Sequence, residues 1–359
     1  MRTSRIPETV ANDREVPGRR GCGQTRRMER RHNHRRLGVA VTVASVIGLG
    51  LAGCSSTSSD RSAMSAPAST RATTITTTSS TLAASAVSIV SAPVLVARTS
   101  DGTVGYRTVG AGPPLVLIMG YSGSMDSWEP SFVDALGRRH RVVVFDNAGI
   151  GRTSPLPAPL SVTAMAEQTA ALIEALHLGR PDVLGWSLGG MIAQALAVVH
   201  PDLVRRLVLC ATLPGNGKAT FPSAAAIREL DRVAGGNATG LLNLLFPANQ
   251  QKAEQTFIAQ ITEFPHFYVA PPAVDTAQNA ALASWLTGKE VAGRHLSSIS
   301  VPTLIGDGLD DRLVPTADDH ELASVIAGSE LVLYPDAGHA FLFQDEDSFL
   351  GNVEEFLSD

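Results

Sequence analysis

Residues 183–190 read VLGWSLGG, and the fold turns on how they are read. Ser187 stands between Gly185 and Gly189, after the apolar run PDVLGW (181–186) and before MIAQALAVVHP (191–201). A G-x-S-x-G pattern between a strand and a helix describes a nucleophile elbow, a turn so tight that side chains at the glycine positions would press on neighbouring backbone. The serine then takes strained backbone angles, and its hydroxyl rises above the sheet. The same five-residue pattern also occurs by chance in ordinary strand-to-helix turns, where the hydroxyl carries no chemistry.

Outward from the elbow, short apolar, β-branched runs alternate with longer amphipathic ones. Strands are expected at VLVART (94–99), TVGYRTV (103–109), PLVLIM (114–119), RVVVFD (141–146), PDVLGW (181–186), RLVLCAT (206–212), PTLIGD (302–307) and ELVLYP (330–335). The turn SDGT (100–103) joins the first two as a hairpin, while the later runs are spaced for helical crossovers. Helices are expected over about 161–178, 188–200, 317–327 and 343–357. This alternation predicts an α/β domain: a mostly parallel, eight-stranded central sheet flanked by helices. Residues 213–300 are too many for a crossover and contain several helical stretches, together with FPHFY (264–268) and ASWL (283–286), so they are read as an inserted helical cap.

The beginning of the chain has a different character. Residues 1–36 hold eleven Arg and four acidic residues, and LGVAVTVASVIGLGLAG (37–53) is uncharged throughout. A basic leader, an apolar stretch shorter than a comfortable membrane span and a small-residue site form the layout of an export signal. LAGC (51–54) resembles the bacterial lipobox, which implies that Cys54 is acylated and becomes the first residue after cleavage. Two or more acyl chains give lasting membrane attachment. A plain cleaved signal and an uncleaved anchor helix are the alternatives, and Met28 is an alternative start. Residues 55–92, rich in Ser, Thr and Ala, have too little apolar content for a core and are read as a flexible tether to a folded region at 93–359.

Composition excludes several function classes. Of 29 basic and 34 acidic residues, eleven and four lie in the leader, so the remainder carries a formal charge of −12. Nucleic-acid binding is disfavoured, because a binder needs a basic face to displace counterions. The cysteines are Cys22 in the leader, Cys54, and Cys210 in the apolar run RLVLCAT, which reads as a small core residue. There is no zinc-type spacing of Cys and His, no H-E-x-x-H and no P-loop, so no metal or cofactor is expected.

With the elbow in strand–turn–helix context, the chain resembles the α/β-hydrolase superfamily over about residues 94–358. A serine alcohol needs a base to take its proton. Among the histidines, His32 and His34 lie in the leader, His177, His200 and His320 on expected helices, His140 before a strand, and His266 and His295 in the cap. His339, in YPDAGHAFLFQ after the final strand, sits where the resemblance implies a catalytic histidine at a Gly-His pair. The orienting acid is implied after PTLIG, in GDGLDDRLVP. Asp311 has the D-x-x-V-P spacing, Asp310 stays open, and Asp307 reads as a strand-end capping residue. The oxyanion donors implied are the amides of Leu188 and Tyr121, with Ser122 N–H as an alternative to Tyr121. Most relatives carry His-Gly where this chain has Met119-Gly120. FDNAGIGRTS (145–154) resembles the superfamily's D-x-x-G-x-G-x-S loop, with Asp146 and Ser154 as structural braces.

The resemblance implies a serine hydrolase cleaving a carboxylic ester through an acyl-enzyme. Ser187 in place of aspartate argues against dehalogenase or epoxide-hydrolase chemistry, and the missing H-G-G-P-G argues against a proline iminopeptidase. Cofactor-free haloperoxidases or perhydrolases and carbon–carbon bond hydrolases share the triad, and a lactonase is also open. A non-catalytic ligand-binding protein displayed on the membrane is the reading from another class. The cap aromatics and Trp285 either line a pocket for a small apolar substrate or only pack the cap onto the body. Trp186 either packs under the sheet or shapes the pocket.

Overall fold

The computed structural model describes residues 88–234 and 238–358. The stretch read as an export signal, Cys54, and residues 55–87 of the expected tether lie outside the described residues. All eight expected strands form: β1 Leu95–Thr99, β2 Gly102–Val109, β3 Pro114–Ile118, β4 Arg141–Phe145, β5 Asp182–Trp186, β6 Leu207–Cys210, β7 Thr303–Gly308 and β8 Glu330–Tyr334. They make one sheet in the order β1-β2-β4-β3-β5-β6-β7-β8. The β1–β2 and β2–β4 pairs are antiparallel, and every later pair is parallel.

Side-chain alternation divides the sheet between two cores. Val116 and Ile118 of β3 and Val143 and Phe145 of β4 enter the core on one face, while Leu115, Leu117, Val142 and Val144 enter the other. Helices α1 Pro130–Leu136, α2 Val162–Ala175 and α3 Leu188–Val199 follow β3, β4 and β5. Ser161 starts α2 as its N-cap, its hydroxyl oxygen accepting from Ala164 N at 3.0 Å. Residues Leu188 to Ala197 of α3 are buried on every side, which explains their nearly uninterrupted apolar sequence.

Between β6 and β7 the chain forms α4 Ala224–Ala234, α5 Ala238–Leu245, α6 Gln251–Ile261, α7 Pro272–Leu286 and α8 Val291–Arg294. After β7 come α9 Thr316–Val325, α10 Phe341–Gln344 and α11 Glu346–Ser358. The helix expected at 343–357 is therefore two helices, broken at Asp345, whose φ of −122° and ψ of 44° are not helical. No helix among the described residues is long and apolar enough to cross a membrane.

The folded part also begins earlier than Pro93. Ile89 is only 1 % exposed, its N–H donates to Asp134 Oδ1 at 2.7 Å, and Ala92 O accepts from buried Arg107. The tether expected to reach residue 92 thus gives way to packed structure by residue 89. One buried isoleucine and a buried arginine that needs an acceptor hold this segment to the body.

The strand order reverses between β3 and β5, since the chain moves outward from β3 to β4 and then crosses to β5 on the other side. Loops leaving the carboxyl ends of strands at such a switch point diverge and open a crevice. The loops after β3 and β5 carry Gly120–Tyr121 and Ser187, respectively.

Candidate active site

Ser187 caps the amino end of α3 with φ 57° and ψ −119°, a left-handed backbone that costs a non-glycine residue roughly 1–3 kcal/mol. Its N–H donates to Cys210 O at 2.8 Å, and its carbonyl accepts from Thr212 Oγ1 at 2.7 Å. The flanking glycines are dictated by contact: a Cβ on Gly185 would lie 2.3 Å from Gly189 O, and one on Gly189 would lie 1.9 Å from Ile118 O. Gly190, to which the sequence motif assigns nothing, is equally constrained, for a Cβ there would lie 2.6 Å from Thr212 Cβ. Cys210 is fully buried, its thiol pushed well up by desolvation, which suits a core residue.

His339 Nδ1 lies 2.7 Å from Asp311 Oδ2, with side-chain exposures of 4 % and 0 %. Asp311 Oδ1 accepts Leu313 N at 2.6 Å and Val314 N at 2.9 Å, so the residues of the D-x-x-V-P pattern hold the carboxylate from behind. Asp310 is exposed and only its backbone N–H is engaged, with Ala337 O at 2.8 Å, which removes it as the partner of His339. Asp307 does cap locally, accepting Gly308 N at 2.7 Å. Beyond that role it is fully buried in β7 beside Asp311 and Asp319. Burial, followed by the charge of Asp311, raises the Asp307 carboxyl well above its ordinary range and pushes that of Asp319, on α9, up to about 8. Two buried acids whose carboxyls are pushed toward the protonated form thus lie beside Asp311.

Trp186 settles under the histidine loop. Its Nε1 donates to His339 O at 2.9 Å, its ring centroid is 5.7 Å from that of His339, and Phe343 meets it edge-on at 5.3 Å. The loop is further tied by Ala340 N to Leu245 O at 3.0 Å and by Gly338 N to Gln344 Oε1 at 2.8 Å.

The loop after β3 lies directly on the elbow: a Cβ on Gly120 would be 3.2 Å from Ser187 Cβ. Where the resemblance leads one to expect His-Gly, Met119 is buried and its carbonyl accepts from Asn147 Nδ2 at 2.8 Å, so a side-chain amide braces the loop instead. Ser122 N–H donates to Gln278 Oε1 at 2.8 Å, which commits it elsewhere and removes it as the alternative oxyanion donor. Leu188, directly after Ser187, is the first residue of α3. The 145–154 loop is structural as expected: Asp146 Oδ1 accepts Met125 N at 2.8 Å, Thr153 Oγ1 donates to Asp146 O at 2.7 Å, and Ser154 Oγ accepts Thr103 N at 3.0 Å.

Trp285 does not line a pocket. It is fully buried, its Nε1 donates to Leu213 O at 3.2 Å, and it packs so closely on Gly215 that a Cβ there would lie 2.4 Å from the ring. Phe264 is likewise enclosed, with the Arg107 guanidinium 5.4 Å from its ring centre. Phe267 and Tyr268 are half-buried. No group of three or more His, Cys, Asp or Glu among the described residues is arranged to hold a metal ion.

These features have counterparts among known proteins. A model of the alpha/beta hydrolase fold family matches residues 113–346. The protein named "Putative carbamate hydrolase RutD" of Caulobacter sp. (strain K31) is 32% identical over 279 residues, which cover 72% of this chain and 97% of that protein. The 2-hydroxymuconate semialdehyde hydrolase of Pseudomonas sp. (strain CF600) is 28% identical over 262 residues, covering 70% of this chain and 88% of that one. Among solved structures, the enol-lactonase from Burkholderia xenovorans LB400 is similar with a TM-score of 0.61 at 26% identity, covering 74% of this chain and 100% of that one. A mostly parallel eight-stranded sheet with a serine on a strained turn after β5 is thus matched by a family model across most of the folded region, and the chain belongs to the alpha/beta hydrolase fold family.

Proposed function

We propose that the protein hydrolyses a small carboxylic ester through an acyl-enzyme formed on Ser187. One observation carries the reading: His339 Nδ1 is committed to buried Asp311 Oδ2 at 2.7 Å, which leaves Nε2 as the ring nitrogen free to act as a base. Ser187 Oγ attacks the ester carbonyl carbon and passes its proton to His339 Nε2. The charge that develops on the carbonyl oxygen is held by the backbone amides of Leu188 and Tyr121. His339 then returns the proton to the leaving alcohol, water attacks the acyl carbon with His339 again as base, and the carboxylic acid departs. Asp311 fixes the imidazole tautomer and stabilises the imidazolium.

A fluorophosphonate probe tests this directly. Wild-type protein should take a covalent label that Ser187→Ala does not take, and an unlabelled, folded wild type would leave a non-catalytic ligand-binding role instead. A panel of p-nitrophenyl esters of increasing acyl length then measures substrate preference. A small apolar ester is the substrate class to try first.

A second reading, carbon–carbon bond hydrolysis, is supported by the 2-hydroxymuconate semialdehyde hydrolase relative. Turnover of 2-hydroxymuconate semialdehyde well above that of any ester would favour it. The RutD relative and the enol-lactonase add carbamates and enol-lactones to the panel. Haloperoxidase or perhydrolase activity on the same triad is checked by adding peroxide.

We further propose export and lipid anchoring at Cys54, supported by the basic leader, the apolar stretch and LAGC. Cys54→Ala should release the protein from the membrane fraction, and unchanged retention would count against the anchor.

A further inference from the structure

Cap helix α7 reaches into the loop that follows β3. Tyr121 Oη donates to Asp275 O at 3.0 Å, Ser122 N–H donates to Gln278 Oε1 at 2.8 Å, and Ser122 Oγ bonds Asp275 Oδ1. These bonds join residues 153 to 156 positions apart in the chain. Asp275 and Gln278 are three residues apart, hence on one face of α7, and are only 2 % and 0 % exposed. Both are committed to the loop rather than to solvent.

What they hold is a strained backbone. Ser122 has φ 55°, and a non-glycine residue keeps such an angle only where its surroundings over-determine it. The loop's flanks are fixed by the body, through Asn147 on Met119 O and Asp146 on Met125 N. Between those flanks, Gly123 N–H donates to Gly120 O at 3.3 Å, and α7 adds bonds to Tyr121 Oη, Ser122 N–H and Ser122 Oγ. A peptide with both neighbours pinned has little freedom to rotate, and the Tyr121 peptide follows Gly120, where an added Cβ would lie 3.2 Å from Ser187 Cβ.

We propose that Gln278 and Asp275 are positioning residues of the oxyanion hole: helix α7 orients the Tyr121 amide through Ser122, so that the docked cap, and not the body alone, assembles the hole. The inference rests on the acyl-enzyme reading above. It goes further in making the cap part of the reaction's electrostatics rather than only a cover for the substrate. Oxyanion stabilisation depends on donors fixed before charge develops, and a displacement of about 1 Å from a remote substitution can lower the rate about a hundredfold.

The test uses Gln278→Met and Tyr121→Phe in the full chain. Gln278→Met removes the acceptor for Ser122 N–H at similar volume, and Tyr121→Phe removes only the phenol hydroxyl while keeping the Tyr121 amide. Steady-state kinetics on p-nitrophenyl butyrate are paired with inhibition by an alkyl boronic acid, which forms a tetrahedral adduct on the serine. Gln278→Met should lower kcat by about tenfold to a hundredfold with KM within about twofold, and weaken the boronic acid by the same factor as kcat/KM. Tyr121→Phe should shift the same two quantities together by about threefold to tenfold. Unchanged kcat/KM, or a loss confined to KM with boronic acid inhibition intact, overturns the proposal. If Gln278→Met fails to fold, Tyr121→Phe decides alone. Fluorophosphonate labelling of the wild type separates the two levels. Absence of a Ser187-dependent label defeats the acyl-enzyme reading and this inference with it, while a labelled wild type with unaltered variants defeats the cap's role only.

Discussion

At the scale of single residues, the site is held by groups whose substitution has distinct signatures. Ser187→Ala and His339→Ala should each lower turnover by roughly 10⁴-fold or more with the fold retained, measured by ester kinetics and circular dichroism. Substantial activity in either variant would refute the assignment. Gly189→Ala should do the opposite, destabilising the fold by about 3 kcal/mol or more, because its Cβ would lie 1.9 Å from Ile118 O and backbone cannot rotate aside as a side chain can. Trp186→Phe, which keeps a ring but loses the bond to His339 O at 2.9 Å, should cost about 1 kcal/mol and lower kcat several-fold. Gly185, Ser187 and Gly189 were legible in the sequence because a tight turn constrains residue types at fixed short spacing. Asp311 and Asp310 could not be separated that way. Adjacent residues point in different directions, and only the amides of Leu313 and Val314 show which carboxylate is gripped. Gly190 and Gln278 were invisible, since Thr212 and Ser122, which constrain them, are remote in the chain.

At the scale of elements, strand β7 and helix α9 press three carboxyl groups together, and pH should reveal it. Folding raises Asp319 from 3.8 to about 8, chiefly by burial and then by the charge of Asp311, so the folded state holds a proton that the unfolded chain releases. The resulting contribution falls as pH rises from about 4 to about 8 and is constant above that, because both states are then ionised. Asp319→Asn should therefore make the melting temperature less dependent on pH between 5 and 9 than in the wild type, as followed by thermal melts at intervals across that range. Some slope should persist, since burial also pushes Glu129 up to about 8. Equal slopes in the two proteins would mean that Asp319 is ionised in the fold. Periodicity made most elements legible, for a half-buried strand and a helix leave different apolar spacings. It could not reveal that Trp285 faces Gly215 rather than a pocket, because an aromatic residue on an inward face reads the same in both cases. Nor did it show the break at Asp345, which a continuous apolar pattern conceals.

At the scale of the whole molecule, the sheet with its two cores could be read from alternation along the strands, but the point where order begins could not. SAVSIVSA (85–92) looks like the Ser, Thr and Ala run before it, and three apolar residues, Val87, Ile89 and Val90, are too few to show a periodicity. The contacts are nevertheless specific. Ile89 is 1 % exposed and bonded to Asp134, and Ala92 O accepts from Arg107, whose Nε also pairs with fully buried Asp126 at 3.0 Å. A fragment starting at Ser88 should therefore melt with the full-length chain, and one starting at Val94 should not. Losing the burial of an isoleucine removes about 2 kcal/mol, and leaving a buried guanidinium short of an acceptor adds about 1.5–3 kcal/mol. For a folded region of this size that loss corresponds to roughly 10 °C in melting temperature. Calorimetry on the two fragments checks it, with ester turnover at low temperature as the control for correct folding. Equal melting temperatures would show that residues 88–92 only rest on the surface, returning the boundary to Pro93. A large difference would show that the hydrolase fold includes the end of its own tether, and that the Arg107–Asp126 pair depends on it.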